Sequence, residues 1–202
     1  MAACVRLSLT GLAPRLQGTF WQPRSVGEVL VFRTEDAPQG LLEEARALVF
    51  AAFDGGFSED DWDHALGGWH AVVMDTQRVV AHASVILREL TIGDRKVAAG
   101  YVEGVGTESA ARGEGHGTRA MTEIAGIIRR DFELGALSTE AHQFYERLGW
   151  ERWRGPTFVR SATGPTRTEA EDEGIMVLRY GPSASFDLTA SISCEERSGD
   201  DW

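Results

Sequence analysis

The sequence predicts one mixed α/β (α+β) domain, in which a mostly antiparallel sheet is flanked by helices. Three observations support this fold class. The 202 residues are 43% hydrophobic and 25% charged, which is typical of a single globular domain with a sizeable core. Apolar residues alternate in some stretches, as in strands, and recur at every third or fourth position in others, as in amphipathic helices. No repeat, linker or low-complexity block divides the sequence.

The predicted elements follow one another closely. A strand at residues 29–33 precedes a helix from about Pro38, and Ser58 opens a short second helix with a capping-box pattern. Two antiparallel strands, 69–75 and 78–90, are joined by a turn at Thr76 and Gln77. The next elements are a strand at 96–108 and a helix whose buried face carries Met121, Ile124, Ile128 and Phe132. A strand at 134–138 and a helix at 141–148 follow. The rest of the sequence is predicted to form strands at 150–153, 158–160 and 175–180, with turns at Gly155 and Gly164.

The composition excludes several classes of function. A net charge of −11 argues against nucleic-acid binding, which needs a basic face, and it suits a polycationic small substrate. No stretch reaches the roughly 18 apolar residues of a membrane span. The histidines lack the spacing of metal ligands, so we expect no metal site. The two cysteines, Cys4 and Cys194, form no C-x-x-C pair, which fits the reducing cytoplasm.

The first part of the sequence differs from the rest. Residues 1–26 carry only short apolar runs and make a poor signal peptide, so we expect a poorly ordered N-terminal extension. The domain is predicted to span residues 27–202.

A glycine-rich segment at residues 112–117 directly follows the strand that carries Glu103. Glycines at alternate positions allow a tight turn and expose backbone N–H groups at the start of a helix, where the dipole favours a phosphate. An arginine at the start of the segment adds a guanidinium suited to phosphate oxygens. The predicted pyrophosphate cradle consists of Arg112, Gly113, Glu114, Gly115, His116 and Gly117.

Two common phosphate-binding motifs do not match this segment. No Gly-Lys-Ser/Thr of a P-loop occurs, and the spacing is not the G-x-G-x-x-G of a dinucleotide fold. The pattern R-x-x-G-x-G, from Arg112 to Gly117, resembles the acetyl-CoA loop of the GNAT superfamily of N-acetyltransferases. A glycine-rich turn that merely joins a strand to a helix remains the alternative.

Further stretches narrow the resemblance. Residues 57–62, 65–68, 100–105, 135–138, 164–168 and the chain end at 199–202 resemble the aminoglycoside 2′-N-acetyltransferases. The element order resembles the GNAT acyl-CoA N-acyltransferase fold along nearly the whole of residues 27–202.

The resemblance implies roles for individual residues. It assigns Glu103 as a general base acting through water and places Tyr145 near the CoA sulfur. Backbone at Gly104 and Val105 would hold the acetyl carbonyl and pantetheine. The acetyl-CoA site that the resemblance implies consists of Val105, Gly106, Thr107 and the cradle residues 112–117. Substrate contacts are implied at Asp61, Glu103, Gly104, Ser138, Glu171, Asp172 and the carboxylate of Trp202. Relatives carry an aspartate where this sequence has Gly56, so either Asp54 supplies that contact or it is absent.

Physical chemistry of the residues agrees with these roles and leaves alternatives open. Apolar neighbours would raise the pKa of Glu103, which is useful for a base. A β-bulge at the following glycine would free an N–H as an oxyanion donor. Alternatively, Glu103 lies on an exposed strand face and Tyr145 only packs in the core with Phe144. The acidic cluster at 169–173 is either a solvated turn or a cleft wall for ammonium groups.

The functional expectation is acetyl transfer from acetyl-CoA to the 2′-amine of an aminoglycoside by direct attack in a ternary complex, which confers resistance. The resemblance also implies a homodimer in the cytoplasm. Two alternatives stay open. One is a GNAT enzyme acting on another small amine, such as a polyamine or an amino-sugar metabolite. The other is a non-catalytic acyl-CoA-binding sensor.

Overall fold

The computed structural model describes residues 27–202, so the expectation about residues 1–26 lies outside the described part of the chain. The strands are β1 (Glu28–Arg33), β2 (Trp69–Asp75), β3 (Arg78–Ile92), β4 (Arg95–Thr107), β5 (Leu134–Ser138), β6 (Glu151–Arg152), β7 (Thr157–Ser161), β8 (Gly164–Arg167), β9 (Ile175–Leu178) and β10 (Ile192–Glu195). The α-helices are α1 (Leu41–Ala52), α2 (Glu59–His64), α3 (His116–Asp131) and α4 (His142–Glu146).

These strands form a mixed, mostly antiparallel sheet, as predicted. The order is β6-β9-β5-β4-β3-β10-β7-β8, with β2 also paired to β3 and β1 to β2. The long strand β3 pairs with β2 over its first half and with β10 at its last two residues. Pairing is parallel between β4 and β5 and between β7 and β10, and antiparallel elsewhere in the described sheet.

The parallel strands β4 and β5 separate in the middle of the sheet. They pair only from Ala99 to Tyr101 against Leu134 to Ala136, while β4 continues to Thr107. Beyond Tyr101 the two strands therefore diverge and leave a gap in the sheet. This gap positions the candidate site.

Helices cover both faces of the β2–β3 region. Ala71 and Val73 pack in the same core as the buried face of α3, whereas Val72 and Met74 pack with α1. Side chains alternate between the faces of a strand, so β2 is buried on both sides. This accounts for its nearly continuous apolar sequence. No helix within residues 27–202 has the length and apolar content required to cross a bilayer.

Several elements differ from the sequence prediction. Gly164, which was expected in a turn, is instead the first residue of strand β8, and this strand pairs with β7. Strand β10 was not predicted, because its four residues, ISCE, are too few to establish a strand pattern and their pairing depends on distant partners on β3 and β7. The helices are also shorter than predicted, since α1 begins at Leu41 and α4 covers only His142–Glu146.

Candidate active site

Two adjoining cavities lie at the gap between β4 and β5. The larger has a volume of about 920 Å³ and is lined by β4, the end of β5, α2 and the segment after β10. The smaller, of about 520 Å³, is lined by the end of β4 and the start of α3. Four residues line both cavities, which therefore meet there: Phe53, Val105, Ala141 and Tyr145.

The smaller cavity is bounded by the glycine-rich segment. Gly113 and Gly115 have φ values of +87° and +84°, and Gly115 is the N-cap of α3. A Cβ atom at either position would meet no heavy atom within 4 Å, so space is open beside this backbone. Arg112 donates to the carbonyls of Ala52 and Thr107 at 3.2 and 3.4 Å. An open helix N-terminus beside a guanidinium suits a phosphate-bearing ligand.

A β-bulge interrupts β4 immediately after Glu103. Ser84 of β3 is paired with Glu103 and His82 with Gly106, so Gly104 and Val105 together face Ala83. Gly104 has a φ of +56°, a conformation that L side chains adopt only at a cost. The bulge expected from the sequence is therefore confirmed.

Glu103 lies on the wall of the larger cavity, where its side chain is 13% exposed. Arg197 Nη1 donates to Glu103 Oε1 at 2.7 Å. Burial raises the pKa of the Glu103 carboxyl above its usual value, and the nearby Arg197 guanidinium opposes this shift. This burial contradicts the alternative of a carboxylate on an exposed strand face.

Acidic side chains outnumber basic ones on the wall of the larger cavity. Besides Glu103, its acidic lining residues are Asp61, Glu140, Glu171, Glu173 and Asp200. Burial raises the pKa of Glu171, and the Asp200 carboxylate shifts it further in the same direction. Such a wall favours ligands that carry several ammonium groups. Among residues 27–202, no cluster of His, Cys, Asp and Glu is arranged to hold a metal ion.

Asp61 both caps helix α2 and lines the larger cavity. Its carboxylate accepts hydrogen bonds from the backbone N–H and the hydroxyl of Ser58 at 2.7 and 2.8 Å, which completes the capping box of α2. The same residue lines the larger cavity. The cap therefore holds an acidic side chain at the cavity wall.

Tyr145 of α4 packs edge-on against Phe144 and Trp150, with ring centroids 4.9 and 6.0 Å away. It is 6% exposed, and burial raises the pKa of its phenol. Because Tyr145 also lines both cavities, its core packing and a role at their junction are compatible.

The structure brings most of the sequence-predicted site residues together. The larger cavity includes Asp61, Glu103, Gly104, Ser138, Glu171 and Trp202. The smaller cavity includes Gly106, Thr107, Arg112, Gly113, Gly115, His116 and Gly117. Val105 and Tyr145 line both.

Three residues expected at the site line neither cavity. Asp54 is exposed in the turn after α1, whereas Gly56 lines the larger cavity. Glu114 points to His116 Nε2 at 3.2 Å and is largely exposed. Asp172 accepts hydrogen bonds from Arg167 and Thr157, so its charge is engaged in the β7–β8 region. We therefore leave Asp54, Glu114 and Asp172 out of the proposed site.

Sequence reasoning missed Arg197 and Asp200, which both line the larger cavity. They lie in the segment after β10, which packs closely on α2. A Cβ atom at Gly199 would lie 2.7 Å from Cβ of Asp60. The resemblance at the chain end pointed to this segment. No local pattern identified Arg197, because its partner Glu103 is 94 positions away in the sequence.

Comparisons with known proteins agree with this geometry. Residues 33–153 match the acetyltransferase (GNAT) domain family. An aminoglycoside 2′-N-acetyltransferase from Mycolicibacterium fortuitum is 42% identical over 173 residues, which are 84% of this chain and 89% of that protein.

Solved structures support the fold. The GNAT family N-acetyltransferase YhbS from Escherichia coli, in complex with CoA, matches with a TM-score of 0.61 and 14% identity over 89% of this chain and 97% of that chain. A GNAT family acetyltransferase from Brucella melitensis, in complex with acetyl-CoA, matches with a TM-score of 0.55 and 17% identity over 82% and 95% of the two chains. The domain match and the close relative together establish that this chain belongs to the GNAT acetyltransferase family, in the group that contains the aminoglycoside 2′-N-acetyltransferase of M. fortuitum.

Proposed function

We propose that this protein transfers the acetyl group of acetyl-CoA to the 2′-amino group of aminoglycosides by direct attack in a ternary complex, and thereby confers aminoglycoside resistance. The observation that carries the proposal is the position of Glu103. This largely buried carboxylate lines the larger, acidic cavity. Two residues later in the sequence, Val105 lies where this cavity meets the smaller cavity beside the glycine-rich segment. The substrate class is supported by the relative that is 42% identical.

The smaller cavity fits a CoA-type ligand. Its helix N-terminus, open glycine backbone and arginine match the chemistry of a pyrophosphate. In this proposal Arg112, Gly113, Gly115 and Gly117 hold the pyrophosphate, and backbone at Gly104 and Val105 holds the acetyl arm. Bound acetyl-CoA supplies the activated thioester.

The larger cavity would hold the aminoglycoside through its ammonium groups. Asp61, Glu171 and Asp200 provide negative charge at separate points of the wall. The side chain of Ser138 adds a hydrogen-bonding group near the end of β5. The net charge of −11 would strengthen attraction of a polycation to the cavity.

Glu103 would take the proton that the amine must lose as it attacks the acetyl carbonyl. In this proposal the proton moves through an intervening water to the carboxylate, which also accepts a hydrogen bond from Arg197. As the C–N bond forms, the C–S bond breaks and the amine proton ends on Glu103. The raised pKa of Glu103 lies in the useful direction for a base at neutral pH.

Tyr145 would stabilise the leaving thiolate by donating its phenolic proton or a hydrogen bond. Its position at the junction of the cavities supports this assignment. A covalent acetyl-enzyme step is disfavoured for Cys194, because that thiol is buried and burial raises its pKa to about 11. Direct attack by the amine needs no enzyme nucleophile.

The proposal also places the enzyme in the cytoplasm, where acetyl-CoA is available, as a homodimer. Light scattering on the purified protein tests the dimer, and a monomer mass would contradict it. Fractionation of expressing cells tests the location, since activity recovered outside the cytoplasmic fraction would contradict it.

The function is tested by following CoA thiol release with three amines: an aminoglycoside with a 2′-amine, a polyamine and an amino sugar. We expect rapid release with the aminoglycoside alone. Release only with another amine would show that the protein is an acetyltransferase with a different substrate. Acetyl-CoA binding without release from any amine would indicate a non-catalytic sensor. The variant Glu103→Gln should lose about 100-fold in kcat while its acetyl-CoA affinity stays within about 2-fold.

A further inference from the structure

A chain of hydrogen bonds begins just after β1, runs across the neighbouring strands β2 and β3, and ends at the bulge on β4. Thr34, which follows β1, places Oγ1 2.8 Å from Nε2 of His70 on β2. His70 Nδ1 lies 3.0 Å from Nε2 of His82 on β3, and His82 Nδ1 lies 2.7 Å from the carbonyl oxygen of Gly104 on β4. Both histidines have 0% relative exposure. We call this set, Thr34, His70, His82 and the Gly104 carbonyl, the histidine relay.

The Gly104 carbonyl fixes the direction of every bond in the relay. A carbonyl oxygen only accepts, so His82 Nδ1 carries a proton and its Nε2, in a neutral ring, does not. His82 Nε2 then accepts from His70 Nδ1, and His70 Nε2 accepts from the Thr34 hydroxyl at 2.8 Å, a shorter distance than the 3.4 Å from that hydroxyl to the Gly68 carbonyl. That hydroxyl receives the backbone N–H of Gly67 at 2.8 Å. Burial lowers the pKa of His70 to about 3 and of His82 to about 4, which agrees with neutral rings.

The relay determines how the bulged peptide is turned. In a planar trans peptide, the carbonyl oxygen and the following N–H point to opposite sides. Because the Gly104 carbonyl is held toward His82 in the core, the N–H of Val105 is directed away from His82. Val105 lines both cavities, and Glu103 is two residues earlier on the wall. A fixed N–H at this place can stabilise charge on an acyl oxygen.

We propose that His82, supported by His70 and Thr34, is a positioning residue that holds the Gly104–Val105 peptide with the Val105 N–H presented to the acetyl carbonyl oxygen. This inference rests on the proposed acetyl transfer for its catalytic consequence. The histidines themselves touch no substrate, since they act through the backbone. Without the relay, the Gly104 carbonyl loses its buried donor and the glycine backbone is free to rotate.

The relay is tested first by its tautomers, in the wild-type protein labelled with ¹⁵N. Long-range ¹H–¹⁵N correlation spectra distinguish Nδ1–H, Nε2–H and doubly protonated imidazoles. We expect both His70 and His82 to be neutral Nδ1–H tautomers at pH 7. An Nε2–H tautomer or a protonated ring at His82 would overturn the relay, whatever the activity of the enzyme.

The catalytic role is tested with two substitutions at one position. His82→Leu removes the donor to Gly104, whereas His82→Asn retains an amide N–H near the place of Nδ1. We expect kcat to fall about 10- to 100-fold in His82→Leu, with KM for the amine changed less than about 3-fold, and to recover largely in His82→Asn. Val80→Ala, also fully buried on β3, controls for lost stability and should retain kcat.

Equal kcat losses in His82→Leu, His82→Asn and Val80→Ala would overturn the positioning role, because a general loss of packing would explain them. Wild-type kcat in His82→Leu would also overturn it. If His82→Leu does not fold, the tautomer spectra and the His82→Asn variant still decide the question. A wild-type protein that acetylates no amine would overturn the proposed function, while the spectra would separately decide whether the relay directs Gly104.

Discussion

Arg197 Nη1 donates a hydrogen bond to Glu103 Oε1 at 2.7 Å, and each side chain is only 13% exposed. The arginine is itself held by the segment after β10. Its Nε donates to the Asp200 carbonyl at 2.7 Å, and its backbone N–H donates to Asp201 Oδ1 at 2.8 Å. The C-terminal segment therefore supplies the positive charge beside the proposed base.

This pairing predicts a pH effect of removing Arg197. Burial raises the pKa of Glu103 and Arg197 opposes that shift, so Arg197→Met should raise the pKa further. Glu103 acts as a base only when ionised. The acid limb of kcat/KM should therefore move upward by about one to two pH units, and Arg197→Lys should restore part of the shift. Initial rates between pH 5 and 9 measure it.

The matched control is Arg95→Met, which breaks the largely exposed pair with Glu133. Its pH profile should match that of the wild type, because an exposed pair has little effect on a distant group. An acid limb that stays in place in Arg197→Met would contradict the assignment of Glu103 as the titrating base.

The acidic wall predicts a charge effect that is specific to the aminoglycoside. Glu171→Gln should raise KM for the drug about 10-fold, because a hydrogen-bonded charge is lost, and leave KM for acetyl-CoA unchanged. Glu169→Gln removes the same charge from an exposed neighbour that lines neither cavity. Steady-state kinetics compare the two. Similar effects of both variants would indicate bulk charge rather than a binding site.

The glycine cradle predicts the complementary result. Gly115 has a φ of +84° at the N-cap of α3, so Gly115→Ala strains the backbone and places a methyl group in the open space. We expect acetyl-CoA affinity to fall about 10-fold, since each 1.4 kcal/mol changes affinity tenfold, with KM for the aminoglycoside unchanged. Calorimetry with CoA measures the loss.

Gly126→Ala is the control for the cradle, because Gly126 lies inside α3 and an added Cβ meets nothing within 4 Å. It should stabilise the helix by about 0.5–1 kcal/mol and leave CoA binding unchanged. If Gly115→Ala binds CoA as tightly as Gly126→Ala does, the cradle assignment is wrong.

The buried histidines predict how stability depends on pH. Burial lowers the pKa of His70 to about 3 and of His82 to about 4, from an ordinary value of 6.5. Below pH 6.5 the unfolded chain therefore binds protons that the folded protein does not. The free energy of unfolding should fall between pH 7 and pH 5, by about 2 kcal/mol for each histidine.

Urea unfolding at pH 7 and pH 5 measures this dependence. Carboxylates also contribute, so the informative quantity is the difference between wild type and His82→Asn. The variant should lose a smaller amount of stability on acidification. An identical loss in both proteins would contradict neutral, buried histidines as its source.

The sequence was sufficient to predict the elements that have strong local patterns. The apolar periodicity of α3, the glycines at 113 and 115 and the capping box at Ser58 each specify a structure within a few residues. The glycines at 113 and 115 correctly indicated the turn into the helix that begins at the cradle, and Gly104 correctly indicated the bulge after Glu103. The local chemistry of these segments is largely independent of the rest of the fold.

Features that depend on distant pairing could not be predicted. Strand β10 is defined by partners on β3 and β7, and Arg197 becomes important only because the chain returns to Glu103. The relay joins residues of three strands to Thr34, which follows β1, and none of them has a metal-ligand or catalytic spacing. The pairing of Asp172 with Arg167, for which we leave Asp172 out of the proposed site, is likewise evident only in the folded β7–β8 region.

The position of the acetyl group on the product is the most direct test of the proposed 2′-N-acetyl transfer. Two matched aminoglycosides, one with a 2′-amine and one with a 2′-hydroxyl, are incubated with acetyl-CoA, and thiol release and product NMR spectra are recorded. We expect rapid release with the 2′-amine alone and a single acetamide at that nitrogen. Equal release with both compounds, or acetylation at another nitrogen, would contradict it.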